Sequence, residues 1–257
     1  MTKLHLHVEE HIATLTIDSP PANALSSTLI QQIEAKLTEI EQDETVKAVI
    51  LKGEGRFFSA GADIKEFTSL QEASGYETVS RDGQIVFDRI EQFHIPVIAA
   101  IHGAALGGGL ELALSCHMRI VTEETKIGLP ELTLGIIPGF AGTQRLPKLI
   151  GQPKAYEMML TSDPISGKEA YQFGLANHVV KEEELQSFTN NIAKKIVAKS
   201  KPTINAVMEL VSYGALHGAD AGAKEEAKAF AKVFGNEDAK EGIQAFLEKR
   251  QPNFSDK

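Results

Sequence analysis

Val97-Ile98-Ala99-Ala100-Ile101-His102-Gly103-Ala104-Ala105-Leu106-Gly107-Gly108-Gly109-Leu110-Glu111-Leu112-Ala113-Leu114-Ser115-Cys116-His117-Met118-Arg119-Ile120-Val121-Thr122 reads as strand, helix, strand. Pro96 opens an apolar run, Val97–Ile101, that stops at Gly103. A helix is expected from about Leu106 to Ser115, and a second buried strand over Met118–Thr122. Strand and helix alternating in this way predict an α/β core. Upstream, Leu4–Val8 and Ile12–Ile17 read as two short strands, and Pro20-Pro21 breaks the second. Ser26 or Ser27 caps a helix whose Leu29, Ile33, Leu37 and Ile40 recur at helical spacing. Val46–Lys52 is a further buried strand. Residues 67–80 are polar and without a firm period, so they are expected to be a mobile, variable segment, with helical spacing resuming at Val86, Ile90 and Phe93. Downstream, Ser166-Gly-Lys-Glu169 is a capping-box pattern with a stop at Gly174, and Leu175–Val180 is a short strand. From Glu182 onward only helical patterns remain. Residues 1–195 are therefore read as an α/β body and 196–257 as a helical tail suited to packing on its own body or on a partner subunit.

The chain has 257 residues, with 26 Lys and Arg against 35 Asp and Glu, a net charge of −9. That balance argues against gripping a nucleic-acid backbone or a polybasic membrane contact, although a small anion needs only a few local cations. A lone cysteine, Cys116, allows no intrachain disulfide and has no adjacent His or Cys to make a metal site. The longest apolar stretch, Ile95 to Ile101, is far short of the ~20 residues that span a bilayer. The first residues carry no apolar run of signal-peptide length, so a cytoplasmic location is expected.

Three stretches carry candidate chemistry. Phe57-Phe58-Ser59-Ala60-Gly61-Ala62-Asp63-Ile64-Lys65 places small residues between a strand and a helix, where backbone N–H groups can approach a ligand or simply make a turn. Gly107-Gly108-Gly109 opens a helix, where free N–H groups and the positive end of the helix dipole favour an anion or oxyanion. The spacing is not a dinucleotide fingerprint. Glu111 follows among Leu110, Leu112, Ala113 and Leu114, and a glutamate is almost never buried without a reason. Glu131 is the only acid between Ile127 and Ala141, in apolar and small surroundings; after Pro130 it could also be a plain helix N-terminal acid. Two acids in apolar settings can divide acid and base roles, because burial raises their pKa values. Ser59 lacks a nucleophile frame and His102 reads as structural.

Phe-Ser-Ala-Gly-Ala-Asp-Ile-Lys (58–65), Ala-Leu-Gly-Gly-Gly-Leu-Glu-Leu-Ala (105–113), and Leu-Pro-Glu-Leu-Thr-Leu-Gly-Ile-Ile-Pro-Gly (129–139) with Gly-Thr-Gln-Arg-Leu (142–146) resemble the crotonase family, most closely its enoyl-CoA hydratases. The resemblance covers nearly the whole chain. It implies a spiral of ββα turns with a C-terminal helical region that builds trimers, often paired into hexamers. It implies hydration of a trans-2-enoyl-CoA to the 3-hydroxyacyl-CoA in fatty-acid β-oxidation or related catabolism. Glu111 and Glu131 match the catalytic acids, with Glu131 as the proton donor and Glu111 positioning and deprotonating the water. The N–H groups of Ala62 and Gly108 match the oxyanion hole. Ala60, Ala62, Asp63, Ile64, Lys65 and Gly108 would line the CoA site, and Pro138, Gly139 and Phe140 the acyl pocket. No metal or redox cofactor is implied, since CoA is part of the substrate. Phe140 and Ala141 stand where the family often has a small residue and a glycine, which leaves chain-length preference open. Alternatives are a hydratase for a branched, methylglutaconyl or carnitinyl thioester, an enoyl-CoA isomerase, or, more distantly, an RNA-associated protein without catalysis. Retention of both acids favours the hydratase.

Overall fold

The computed structural model of the chain describes residues 3–69 and 73–257. Strands β1 (Lys3–Glu9) and β2 (Ile12–Asp18) form an antiparallel hairpin. β2 then pairs in parallel with β3 (Ala48–Gly53), which pairs with β4 (Val97–Ile101). β5 (Ala104–Leu106) leaves this sheet, which continues through β6 (Met118–Thr122) and, beyond β7 (Lys126–Gly128), β8 (His178–Val180). The main sheet order is β1-β2-β3-β4-β6-β8. A second, smaller layer runs beside it: Leu25 bridges Ala62, Ser59 bridges Ala105, and β5 pairs in parallel with β7.

Each turn of chain thus adds one strand to the main sheet and one short extended piece to the second layer before its helices. Helix α1 (Ser27–Gln42) follows the piece at Leu25, and α2 (Ile64–Ser69) with α3 (Ala73–Glu91) follow the piece at 59–62. Helix α4 (Gly108–Ser115) follows β5, and a single 3₁₀ turn (Glu131–Leu134) follows β7. This is the ββα spiral that the resemblance implies. Helices α5 (Gly142–Ile150), α6 (Gln152–Thr161) and α7 (Gly167–Gln172) close the last turn. The capping box is formed, with the Glu169 N–H donating to Ser166 Oγ and the Ser166 N–H to Glu169 Oε2.

Strand alternation divides the core. Leu15, Val49, Leu51, Val97 and Ala99 face α1, α3 and α4, while Ile50, Ile98, Ala100 and Ile120 face α8 (Leu185–Val197). β4 is buried along its whole length, as an unbroken apolar run in a parallel sheet should be. Beyond it, α9 (Lys201–His217) and α10 (Ala219–Phe234) pack on each other, neither holding a buried residue, and α11 (Glu237–Glu248) follows. The C-terminal strap ties back to the body: Asp256 accepts from the buried Lys47 Nζ at 2.8 Å and from the Lys201 N–H at 2.7 Å. Among the described residues, no helix is long and apolar enough to cross a membrane.

Four readings of the sequence are corrected. The helix expected from Leu106 begins at Gly108, because Ala104–Leu106 is held as a strand between Ser59 and β7. The buried strand expected over Val46–Lys52 is Ala48–Gly53. The strand expected from Leu175 begins at His178; the Leu175 and Ala176 N–H groups both donate to the Ala170 carbonyl in a turn. The segment 67–80, expected to be mobile, is helical at its two ends, in α2 and in the first turns of α3. Its residues 70–72 lie outside the described residues. Midway along α3 the anchoring is polar: Ser80 Oγ and, from the next turn, Gln84 Nε2 both donate to the Gly139 carbonyl, at 2.5 and 3.0 Å.

Ala141, the residue that caps α5, sits at φ 69°, ψ 24°, in the left-handed region that disfavours a Cβ. Relief of that strain outweighs the entropy a glycine loses on folding. Ala141→Gly should therefore raise unfolding free energy by about 0.5–1 kcal/mol, read as a higher urea midpoint with an unchanged slope. An unchanged or lower midpoint would contradict the strain argument.

Candidate active site

Two backbone N–H groups converge where two turns of the spiral meet. The Leu25 bridge fixes Ala62 from both sides, with the Leu25 N–H donating to the Gly61 carbonyl at 2.8 Å and the Asp63 N–H to the Leu25 carbonyl at 3.0 Å. The intervening Ala62 N–H is thereby turned the other way. Gly107 caps α4 at φ 51° and donates to the Gly128 carbonyl, and Gly108 is the first helical residue, whose N–H has no partner four residues back. A Cβ on Gly108 would lie 3.3 Å from the Ala62 nitrogen, so the two amides are neighbours. Among the described residues, neither N–H is paired with a protein acceptor. Two free donors at a helix N-terminus form a cradle for a developing oxyanion.

Glu111 lies one turn into α4 and is 1% exposed. Its Oε1 accepts from the Phe140 N–H at 2.8 Å and the Gly142 N–H at 2.7 Å. Desolvation nevertheless dominates and, with the charge of Glu131 added, pushes its pKa up to about 7. Glu131 comes from the opposite wall, at the start of the 3₁₀ turn. Its Oε1 is 3.0 Å from where a Cβ on Gly107 would be, so a side chain there would push on the carboxyl, and the φ of 51° at Gly107 already favours glycine. Its Oε2 is buried without a hydrogen-bond partner, and desolvation raises its pKa as well. A carboxylate oxygen kept dry and unpaired costs stability unless it has other work. Around it Leu134, Ile136 and Ile137 are exposed, so the apolar stretch that isolates Glu131 in sequence is largely surface rather than core.

The turn 138–142 joins these parts. Pro138 is buried, and Phe140, 2% exposed, meets Phe87 edge-on at 5.3 Å. The same ring fills the notch left by Gly83 on α3 and Gly108 on α4, where an added Cβ would lie 2.4 and 3.1 Å from it. Arg145, 4% exposed, donates from Nη1 to the Phe140 carbonyl at 2.8 Å, from Nε to Glu91 at 2.8 Å and from Nη2 to Asp88. Of the remaining predicted residues, Ala60, Ile64 and Lys65 are exposed and Asp63 half-buried, a lip beside the two free amides. His102 is structural, bonded through Nε2 to the Gly55 carbonyl. Cys116 is buried, its thiol pushed up to about 12. Among the described residues there is no cluster of three or more His, Cys, Asp or Glu side chains placed to hold a metal. Sequence reasoning missed the Arg145 ion pairs and the two amides on Glu111. The first were detectable only as an arginine beside a small-residue turn, and the second are backbone groups that no residue type announces.

The family model described as Enoyl-CoA hydratase/isomerase matches residues 7–257. A "Probable enoyl-CoA hydratase" from Bacillus subtilis is 51% identical, the alignment covering 99% of both chains. A "Crotonyl-CoA hydratase" from Syntrophomonas wolfei is 41% identical over 98% of this chain and 97% of its own. The crystal structure of an enoyl-CoA hydratase from Bacillus anthracis superposes with a TM-score of 0.93 at 36% identity, covering 100% of this chain and 99% of the other.

Raised from 4.5 to about 7, the Glu111 carboxyl favours folding fully below about 4.5 and loses that contribution as pH rises through about 7. Glu111→Gln keeps an acceptor for both amides and removes the buried charge. It should stabilise the fold by up to about 3 kcal/mol at pH 8 and by little at pH 5. Urea unfolding at the two pH values checks this; equal effects at both would contradict it.

Proposed function

The chain belongs to the enoyl-CoA hydratase/isomerase family, and from that premise we propose that it hydrates trans-2-enoyl-CoA thioesters to 3-hydroxyacyl-CoA. The observation that carries this reading is a buried acid, Glu111, and a half-buried one, Glu131, beside two unpaired amides. The thioester carbonyl oxygen is held by the Ala62 and Gly108 N–H groups. Water oxygen bonds to C3, the C2=C3 electrons move toward the carbonyl, and an enolate develops on the oxygen held by the two donors. Those bonds strengthen as charge grows, so they favour the transition state over the ground state. Each donor contributes on the order of 3 kcal/mol.

Glu111 and Glu131 bracket the water. Both pKa values are raised, and two coupled carboxyls resist ionising together, so the working state of the pair is one acid and one base. Glu131, in its protonated form, gives its proton to C2, while Glu111 takes one from the water. Return of that proton from Glu111 to Glu131 through solvent restores the pair. No electron transfer occurs, so no redox cofactor enters. The lip of Ala60, Asp63, Ile64 and Lys65 faces the CoA moiety, with Lys65 and Arg56 as the local cations that a chain of net charge −9 requires. Phe140, wedged between Gly83 and Gly108, closes the pocket with Pro138 and Gly139 and favours short acyl chains. Residues 1–195 are the catalytic spiral and 196–257 an assembly region for a trimer or hexamer. The exposed Val207, Val211, Leu216, Phe230 and Phe234 on α9 and α10 support that assignment.

Crotonyl-CoA should lose its enoyl-thioester absorbance on addition of the protein. Glu131→Gln should lower kcat by 10²–10⁴-fold with the fold intact by circular dichroism; an unchanged kcat would remove Glu131 from the chemistry. The kcat/KM profile should be bell-shaped, falling on the acid side as the pair gains a second proton and on the alkaline side as it loses its last one. Across enoyl-CoAs of increasing length, the wild type should favour the shortest. Phe140→Ala should shift the kcat/KM ratio toward longer chains, and an unmoved ratio would show that the ring does not bound the acyl site.

A further inference from the structure

We propose that Arg145 is a positioning residue for the hydration, acting through the 139–142 turn to hold Glu111 against the attacking water. The inference rests on the hydratase reading. The turn is a two-sided relay. Its carbonyls at Gly139 and Phe140 face α3 and Arg145, where Ser80, Gln84 and Arg145 donate to them. Its amides at Phe140 and Gly142 face Glu111 and donate to one carboxylate oxygen. Arg145 is the charged member of this relay. Its planar fork reaches the Phe140 carbonyl, Glu91 and Asp88 together, which an ammonium on a flexible stem cannot reproduce.

The charged groups around Glu111 are few. Glu131 faces it from the 3₁₀ turn and raises its pKa, and Arg145 approaches from α5 and lowers it. Asp88 and Glu91, on α3, lie on the far side of Arg145 and offset its charge. Removing the cation therefore moves the protonation of Glu111 to higher pH. Removing the two acids while keeping the cation moves it to lower pH.

The test follows kcat/KM for crotonyl-CoA against pH in the wild type, Arg145→Gln, Arg145→Lys and the double variant Asp88→Asn/Glu91→Gln. Melting temperature and the Kd for the saturated thioester butyryl-CoA are measured alongside. Arg145→Gln should lower kcat 10- to 100-fold, leave the butyryl-CoA Kd within threefold, and move the acid limb upward by half a pH unit or more. Arg145→Lys should restore the acid limb but only part of kcat. The double variant should move the limb downward, and it decides the matter if Arg145→Gln does not fold. Limbs that stay in place in both variants, with activity lost only in proportion to the folded fraction, would reduce Arg145 to a structural ion pair and overturn the proposal. A wild type inactive on every enoyl-CoA would overturn the hydratase reading instead, so the two failures are distinct.

Discussion

A carboxylate buried to 1% exposure is held in place by two backbone amides that reach it from a turn about thirty positions further along the chain. Burying Glu111 costs free energy that the two hydrogen bonds only partly offset, which is why its pKa still rises to about 7. The surrounding structure can be understood as what makes that burial tolerable. Helix α4 must begin at Gly108 to place residue 111 one turn in. The 138–142 turn must present its amides inward, so its carbonyls must find donors on the other side. Ser80, Gln84 and Arg145 supply them. Ala141 accepts a left-handed backbone to complete the turn.

The same constraint accounts for the division of labour between the two acids. Glu111 is fixed through one oxygen, whereas Glu131 keeps a buried oxygen free. Two neighbouring carboxyls with raised pKa values resist ionising together, and the pair can therefore hold a proton and a base at once. A hydration needs both.

Much of this was legible in the residues, and the parts that were not share a physical cause. The strands at Ile12–Ile17, Val97–Ile101 and Met118–Thr122 announce themselves because their apolar runs are buried by the sheet they help to form. Glu111 was visible as an acid among leucines. The second strand layer was not visible: Ala104–Leu106 is three small or apolar residues, and only pairing with Lys126–Gly128 and the bridge to Ser59 makes it a strand. The helix up to Ser80 shows no apolar period, and the contacts that hold α3 at Ser80 and Gln84 are polar and long-range, through the Gly139 carbonyl. The spiral itself came from the family resemblance, since handedness and stacking of successive turns leave no period in the sequence. The Arg145 network was hidden for a similar reason: its partners lie on an element more than fifty positions away.

The two amides that form the cradle come from successive turns of the spiral, Ala62 from one and Gly108 from the next, and each is locked by its own strand bridge. Their spacing is set by the stacking of the turns and not by the length of chain between them. Changes in the part of that stretch before Ser80 therefore leave the separation of the two amides alone, whereas changes from Ser80 to Glu91 reach Glu111 through the Gly139 carbonyl, the Phe140 ring and Arg145. The oxyanion cradle and the seat of the buried acid are thus mechanically separate, the first set by the stacking of the spiral and the second by a turn braced from α3, so each can be altered by mutation without moving the other.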